Sequence, residues 1–261
     1  MAGNSIAGRP VPFEFATATR IIFGEGKAAA LPELARSFGN RALVVTGTSQ
    51  ERAASIVSAL SAQTLAVPGE PTVDLVREGA RRALDTACDV VLSIGGGSVI
   101  DAGKAVAMLL GNGGDPLDYL EVIGSGRAIT EPAVPCVAVP TTAGTGAEVT
   151  ANAVLASPEH RLKASLRSPL MIPRVALIDP QLSVSCPPPV TAASGLDALT
   201  QCLEPLVSPQ ASPLTDGLAS EGLRHAAAGL RTAYANGEDL AARAEMAMCA
   251  LLGGMARRPG C

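Results

Sequence analysis

The chain has no tryptophan, and only four phenylalanines and two tyrosines stand among its 261 residues. That leaves too few flat side chains for a base-stacking platform. A basic run is also missing. Twenty Lys and Arg face 24 Asp and Glu, for a net charge of −4, which argues against nucleic acid or an anionic membrane surface as the main partner. No apolar run reaches membrane-spanning length, and the opening Met1-Ala2-Gly3-Asn4 has neither the charge nor the apolar stretch of a signal peptide. These absences predict a cytoplasmic protein. The six cysteines lie far apart with no C-x-x-C pair, so zinc-ribbon and thioredoxin-type chemistry is not indicated and buried thiols are expected. Histidine is scarce as well. Neither His160 nor His225 has metal spacing to Asp197, and His225, after Arg224 in a helical pattern, reads as a surface residue.

What is present is ample core material: 48% of residues are apolar, enough for one large domain or two smaller ones. Between about residues 20 and 180, short β-branched runs alternate with helical stretches. Ala42–Thr46, Thr64–Val67, Asp89–Ile94, Cys136–Val139 and Val175–Ile178 read as strands. Val73–Ala87 has helical spacing behind Thr72 in N-cap position, and Ile100–Leu110 reads as a helix. Strands alternating with helices imply a parallel sheet covered on both faces. After the Pro187-Pro188-Pro189 break, 191–206, 214–236 and 238–255 are helical in pattern. A boundary near 185 therefore separates an α/β domain (1–185) from the opening of an α-helical one (186–261). Glu245–Met255 is strongly apolar and is followed only by a short polar tail, so an interrupted helical domain is expected.

Two loops carry the chemistry. A strand enters Gly95-Gly96-Gly97-Ser98 and leaves into a helix. Glycines let the backbone approach a ligand, and the free N–H groups of the helix N-terminus attract an anion such as a pyrophosphate. The competing reading is a plain glycine turn, since no G-x-G-x-x-G pattern is present. Pro140-Thr141-Thr142-Ala143-Gly144-Thr145-Gly146 also follows a strand and offers hydroxyls suited to phosphate and ribose. Two such loops at strand ends suggest a nucleotide crevice. Lys163 could add a cation to it, against the plainer reading of a solvated lysine. Asp197 and Gln201 share one face of an apolar helix at i and i+4, which makes Asp197 a metal-ligand candidate.

In order along the chain, FGEG (23–26), GGGSVIDAGK (95–104), PTTAGTGAEVT (140–150), Asp179-Pro180 and SGLDALTQCLEP (194–205) resemble the iron-containing (group III) alcohol dehydrogenases. The resemblance runs from about Arg20 to Met255. It implies a Rossmann-like parallel-sheet domain that binds NAD or NADP, followed by an all-α metal domain, here incomplete. It matches Gly96, Gly97 and Ser98 to the pyrophosphate loop, Thr141, Thr142 and Thr145 to the second cofactor loop, and Lys163 to a lysine near the ribose. Asp197 matches the first ligand of a divalent metal, iron or zinc, and Gln201 stands where the second, usually His, is found. In such enzymes the metal polarises the oxygen of an alcohol or aldehyde while hydride passes to or from the nicotinamide.

Three departures qualify these implications. Gly47 follows the first strand where NAD-preferring members commonly carry Asp, so NADP is admissible. Gln201 is a poorer iron or zinc ligand than imidazole. The family's two further His ligands would lie beyond Met255, which implies a truncated or frame-shifted copy. The resemblance thus leaves three readings: a metal-requiring alcohol dehydrogenase, a metal-independent enzyme of the maleylacetate reductase type, and an inactive nucleotide-binding fragment. None of them assigns a catalytic residue. Family members commonly associate, which makes FGEG a candidate contact in a homo-oligomer.

Overall fold

Every residue of Ala42–Thr46 (β2), Val90–Gly95 (β4), Cys136–Pro140 (β5) and Val175–Ile178 (β8) is buried, as strands covered on both faces must be. The computed structural model describes residues 13–257 apart from Gln50, so the Met1–Asn4 opening and the end of the polar tail lie outside the described residues. With Arg20–Phe23 (β1) and Gln63–Ala66 (β3), these strands form a six-stranded parallel sheet in the order β1-β8-β5-β4-β2-β3.

Helices cover both faces. Leu31–Arg36 (α1) and Glu51–Leu60 (α2) pack with Val44, Leu92, Val137 and Leu177 on one side. Val73–Asp85 (α3) and Gly97–Asn112 (α4) pack with Leu43, Val45 and Val91 on the other. Alternate strand residues thus feed separate cores, as the period of two requires. Thr72 caps α3, its Oγ1 accepting from Leu75 N at 3.1 Å. A short helix, Pro116–Tyr119 (α5), follows α4.

The helices α1, α2 and α5 were not foreseen from the sequence, and neither were two strand features. One is β1, at the edge of the sheet. The other is an antiparallel hairpin, Asn152–Ser157 (β6) with Leu162–Arg167 (β7), whose Ala153, Leu155, Ala164 and Leu166 join the α3–α4 core. Both are short, and the hairpin is rich in Ala and Ser, so neither gives a strong local signal.

Pro188–Val207 (α6), Pro213–Ala235 (α7) and Leu240–Ala256 (α8) pack around Ala198, Cys202, Ala226, Ala233, Met246 and Cys249. The apolar α8 is not left bare. Its Ala247 and Leu251 share a core with Ala176 and Ile178 of β8 and with Val149. Among the described residues of the helical part, exposed large apolar side chains lie instead on α6, at Val190, Leu196, Leu203 and Val207, and on α7, at Leu214 and Tyr234. The predicted boundary near 185 falls in the linker between Pro180–Ser183, a 3-10 turn, and α6.

Buried Arg243 of α8 ties that linker down. It donates to the carbonyls of Gly237 (2.8 Å), Val184 (3.3 Å) and Cys186 (2.9 Å) and to Thr191 Oγ1 (2.7 Å). Burial pulls its pKa below the usual arginine value. Arg243→Met would strip these acceptors of their donor, and a loss of about 3 kcal/mol in urea unfolding is expected, with the helical unit loosening first.

Candidate nucleotide-binding site

The site follows from the strand order. From β2 the chain turns into α2 on one face of the sheet, whereas from the adjacent β4 it turns into α4 on the other. The two connections diverge and leave a crevice beyond the carboxyl ends of the strands, where ligands of open α/β sheets bind. A cleft of about 230 Å3 lies there, lined by Thr46, Gly47, Thr48, Gly95, Gly96 and Thr141 among others.

The glycine run is the N-terminus of α4 itself, since the helix begins at Gly97 with Gly96 as its N-cap. It begins three residues earlier than the helical spacing from Ile100 suggested. No side chain caps this helix, whereas α3, α7 and α8 are capped by Thr72, Ser212 and Asp239. Val99 N donates to Gly96 O at 3.0 Å, and the N–H groups of Gly97 and Ser98 before it remain for an anion.

The threonine loop closes over it. A Cβ added at Gly96 would lie 3.3 Å from Thr142 Oγ1, and one at Gly97 would lie 2.8 Å from Thr145 Oγ1. The structure thus brings Gly96, Gly97 and Ser98 together with Thr141, Thr142 and Thr145. The loop's glycines serve its opposite side. A Cβ at Gly144 would sit 2.8 Å from Ser194 Cβ of α6, and Gly146, at φ 59°, lies against the Gly254 backbone of α8.

Sequence reasoning gave no role to the residue that holds this loop. Lys104, in the third turn of α4, is fully buried. Its Nζ donates to Ala147 O (2.9 Å), Thr150 Oγ1 (3.2 Å) and Asn152 O, and pairs with Asp101 Oδ1 (3.1 Å). Asp101 Oδ2 accepts from Val154 N at 3.1 Å. The available signal was a lysine within an apolar helix, three residues after an aspartate. Glu148 is also buried in this loop. Burial pushes its carboxyl up to about 7 from an ordinary value of 4.5, against the opposing pull of its own backbone N–H and of Lys104.

The carboxylate helix reaches the same loop. Gln201 Nε2 donates to Asp197 Oδ2 at 2.8 Å and to Gly144 O at 3.5 Å. Gln201 Oε1 is buried without a hydrogen-bond partner. Withdrawal from water raises the Asp197 pKa, while the Gln201 hydrogen bond opposes the rise. Among the described residues, no group of three or more His, Cys, Asp or Glu is placed to hold a metal.

Lys163 stands apart from the glycine–threonine contacts. On β7 it pairs with Glu70 at 3.0 Å, on the rim formed by the segment after β3, and both side chains are exposed. His225 is not the surface residue expected. It is largely buried between α7 and α8, with Nδ1 2.6 Å from Glu245 Oε2 and Nε2 3.3 Å from Glu221 Oε1.

The raised Glu148 pKa has a measurable consequence. Between about 4.5 and 7 the folded chain keeps a proton there that the unfolded chain releases, so this group makes stability fall as pH rises through that window. Denaturant unfolding is expected to show a decline on the order of 3 kcal/mol from this group, which Glu148→Gln removes.

Comparison with known proteins bears on the same residues. The model for "iron-containing alcohol dehydrogenase" matches residues 18–180, and that for the "Fe-containing alcohol dehydrogenase family, C-terminal" matches 191–257. The chain is 36% identical over 193 residues to 4-hydroxybutyrate dehydrogenase of Cupriavidus necator, covering 74% of this chain and 50% of that one. It is 41% identical over 187 residues to long-chain-alcohol dehydrogenase 1 of Geobacillus thermodenitrificans, covering 72% and 47%. It thus spans about half the length of the curated relatives it matches. Sulfoacetaldehyde reductase of Bifidobacterium kashiwanohense, solved in complex with NAD+, superposes with a TM-score of 0.87 at 29% identity, over 94% of this chain and 67% of that one. No helix of the described residues is long and apolar enough to cross a membrane. Glycine loop, threonine loop and carboxylate helix all fall within the matched segments, and the chain belongs to the iron-containing alcohol dehydrogenase family.

Proposed function

We propose that this chain binds a nicotinamide dinucleotide at the crevice between β2 and β4 and serves an oxidoreductase that interconverts an alcohol and an aldehyde or ketone. One observation carries the reading: the uncapped N-terminus of α4 and the threonine loop converge at the switch point of the sheet. The family membership and the NAD+ complex of a structural relative support it. A bound nicotinamide supplies hydride acceptor and donor chemistry. The chain contributes the holding. Backbone N–H groups at Gly97 and Ser98 meet the pyrophosphate, and the absence of a side chain at Gly96 keeps the approach open. Thr141, Thr142 and Thr145 supply hydroxyls, and Lys163 reaches a ribose by exchanging its Glu70 partner.

The cleft also bears on the choice between NAD and NADP. Gly47, Thr48 and Ser49 line it at the end of β2, and among the described residues its lining includes no carboxylate. Nothing there repels a 2′-phosphate, so NADP is admitted beside NAD.

The metal is a different matter. Asp197 and the orphaned Gln201 Oε1 offer one carboxylate and one amide oxygen, whereas iron and zinc sites draw on imidazole. With no third His, Cys, Asp or Glu joining them among the described residues, they do not make an iron or zinc site by themselves. That observation favours, as the second reading, nucleotide binding without a resident metal, whether in a metal-independent reductase or in a chain without turnover. Oxidation of an alcohol by the purified chain that depends on added Fe2+ or Zn2+ would remove it.

Two substitutions test cofactor binding. Gly96→Asp sets a carboxylate against the pyrophosphate and is expected to weaken NADH and NADPH binding by about 100-fold or more with the fold retained, read by fluorescence titration and circular dichroism. Unchanged affinity would place the phosphate elsewhere. At Gly47 an added Cβ meets nothing within 4 Å, so Gly47→Asp is sterically free. It is expected to lower NADPH affinity by about 10-fold while sparing NADH, and equal effects on both would remove the ribose from this corner.

A further inference from the structure

The junction of α6, α7 and α8 holds two thiols in contact. Cys202 Sγ of α6 and Cys249 Sγ of α8 are 3.9 Å apart, and both residues are fully buried. Cys202 Sγ also donates to the Cys249 carbonyl at 3.6 Å. The sulfur of Cys202 occupies a niche left by missing side chains. A Cβ at Gly222 of α7 would lie 2.4 Å from it, and one at Gly253 of α8 would lie 3.1 Å away. By contrast, Cys88 and Cys136 have hydroxyls as sulfur neighbours, those of Thr86 and Ser93.

We propose that Cys202 and Cys249 are a modification site: a dithiol that a peroxide converts to a disulfide joining α6 to α8. The sulfur of one thiol attacks the peroxide, an S–O bond forms as the O–O bond breaks, and one water leaves. The second sulfur then attacks this sulfenic acid, the S–S bond forms as the S–O bond breaks, and a second water leaves. Two thiols are oxidised and one peroxide is reduced, so no further reactant is required. The sulfurs must approach by roughly 2 Å to reach bonding distance. The bond would close a loop across α7 between residues 47 apart in sequence.

The position gives the site a consequence. Cys202 follows Gln201, whose side chain bridges Asp197 and the threonine loop. A cleft of about 360 Å3 lined by Gln201, Pro205, Thr215 and Ala256 opens beside this turn; neither cysteine lines it, so peroxide reaches the two sulfurs through local opening of the helices. Oxidation would therefore pin the turn of α6 that carries the amide to the helix that packs on the same loop. The proposal does not rest on the cofactor reading.

The test treats the purified full chain with hydrogen peroxide, then unfolds it, alkylates the remaining thiols and measures intact and peptide masses. The expected result is the loss of two alkylatable thiols and two hydrogens per chain, a cross-linked peptide pair containing Cys202 and Cys249, and full reversal by dithiothreitol. Cys202→Ala and Cys249→Ala should each abolish the two-hydrogen loss. A cross-link through any other cysteine, oxygen addition without a cross-link, or retention of both thiols would overturn the proposal. The peptide map of the unsubstituted chain decides the matter if either variant fails to fold.

Discussion

One buried ammonium governs the candidate site. Lys104 carries its charge into the protein interior, where it is tolerable only because Asp101 faces it and loop acceptors complete its hydrogen bonds. Those acceptors belong to 147–152, the segment that leads from the threonine loop into the first residue of β6, so desolvation of a single group fixes where that segment can run. The position of Thr142 and Thr145 over Gly96 and Gly97 follows from it. The same ammonium limits the rise of the Glu148 pKa, which burial of that carboxyl in the loop pushes up to about 7.

The threonine loop divides its work by residue type. Its hydroxyl-bearing residues face the start of α4, while Gly144 and Gly146 admit the backbones of α6 and α8 to contact distance. One short segment is thereby a wall of the crevice and the seat of the helical unit. Because the seat is backbone against backbone, it has little capacity to absorb a shift by side-chain rotation.

Much of this was legible in the residues. β-Branched runs flanked by turn residues mark β2, β4, β5 and β8, because strands buried on both faces need no alternation and tolerate few other side chains. The two loops stood out because glycines after a strand, and hydroxyls after another, have few other uses in that setting. Less visible were features that depend on distant partners. The β6–β7 hairpin has weak local propensity and takes its place from the core it joins and from Asp101 and Lys104. His225 gave no sign of burial, because its companion Glu245 lies on the next helix. The end of the apolar α8 could not be seen to be covered, since its cover is the outer part of a sheet completed far earlier in the chain.

The strand order also bears on how the chain is made. β1 is the first of the described strands to be synthesised, yet its only neighbour among them is β8, the last of them, with Arg20 aligned to Val175 and Phe23 to Ile178. During vectorial synthesis β1 finds no partner among the described strands until β8 has emerged. The interior strands can assemble without it, while its own docking requires closure of a very long loop and is correspondingly slow. Until β8 leaves the ribosome, the nascent sheet presents an unpaired edge at β5, and this interval is when the growing chain is most open to pairing with a neighbour.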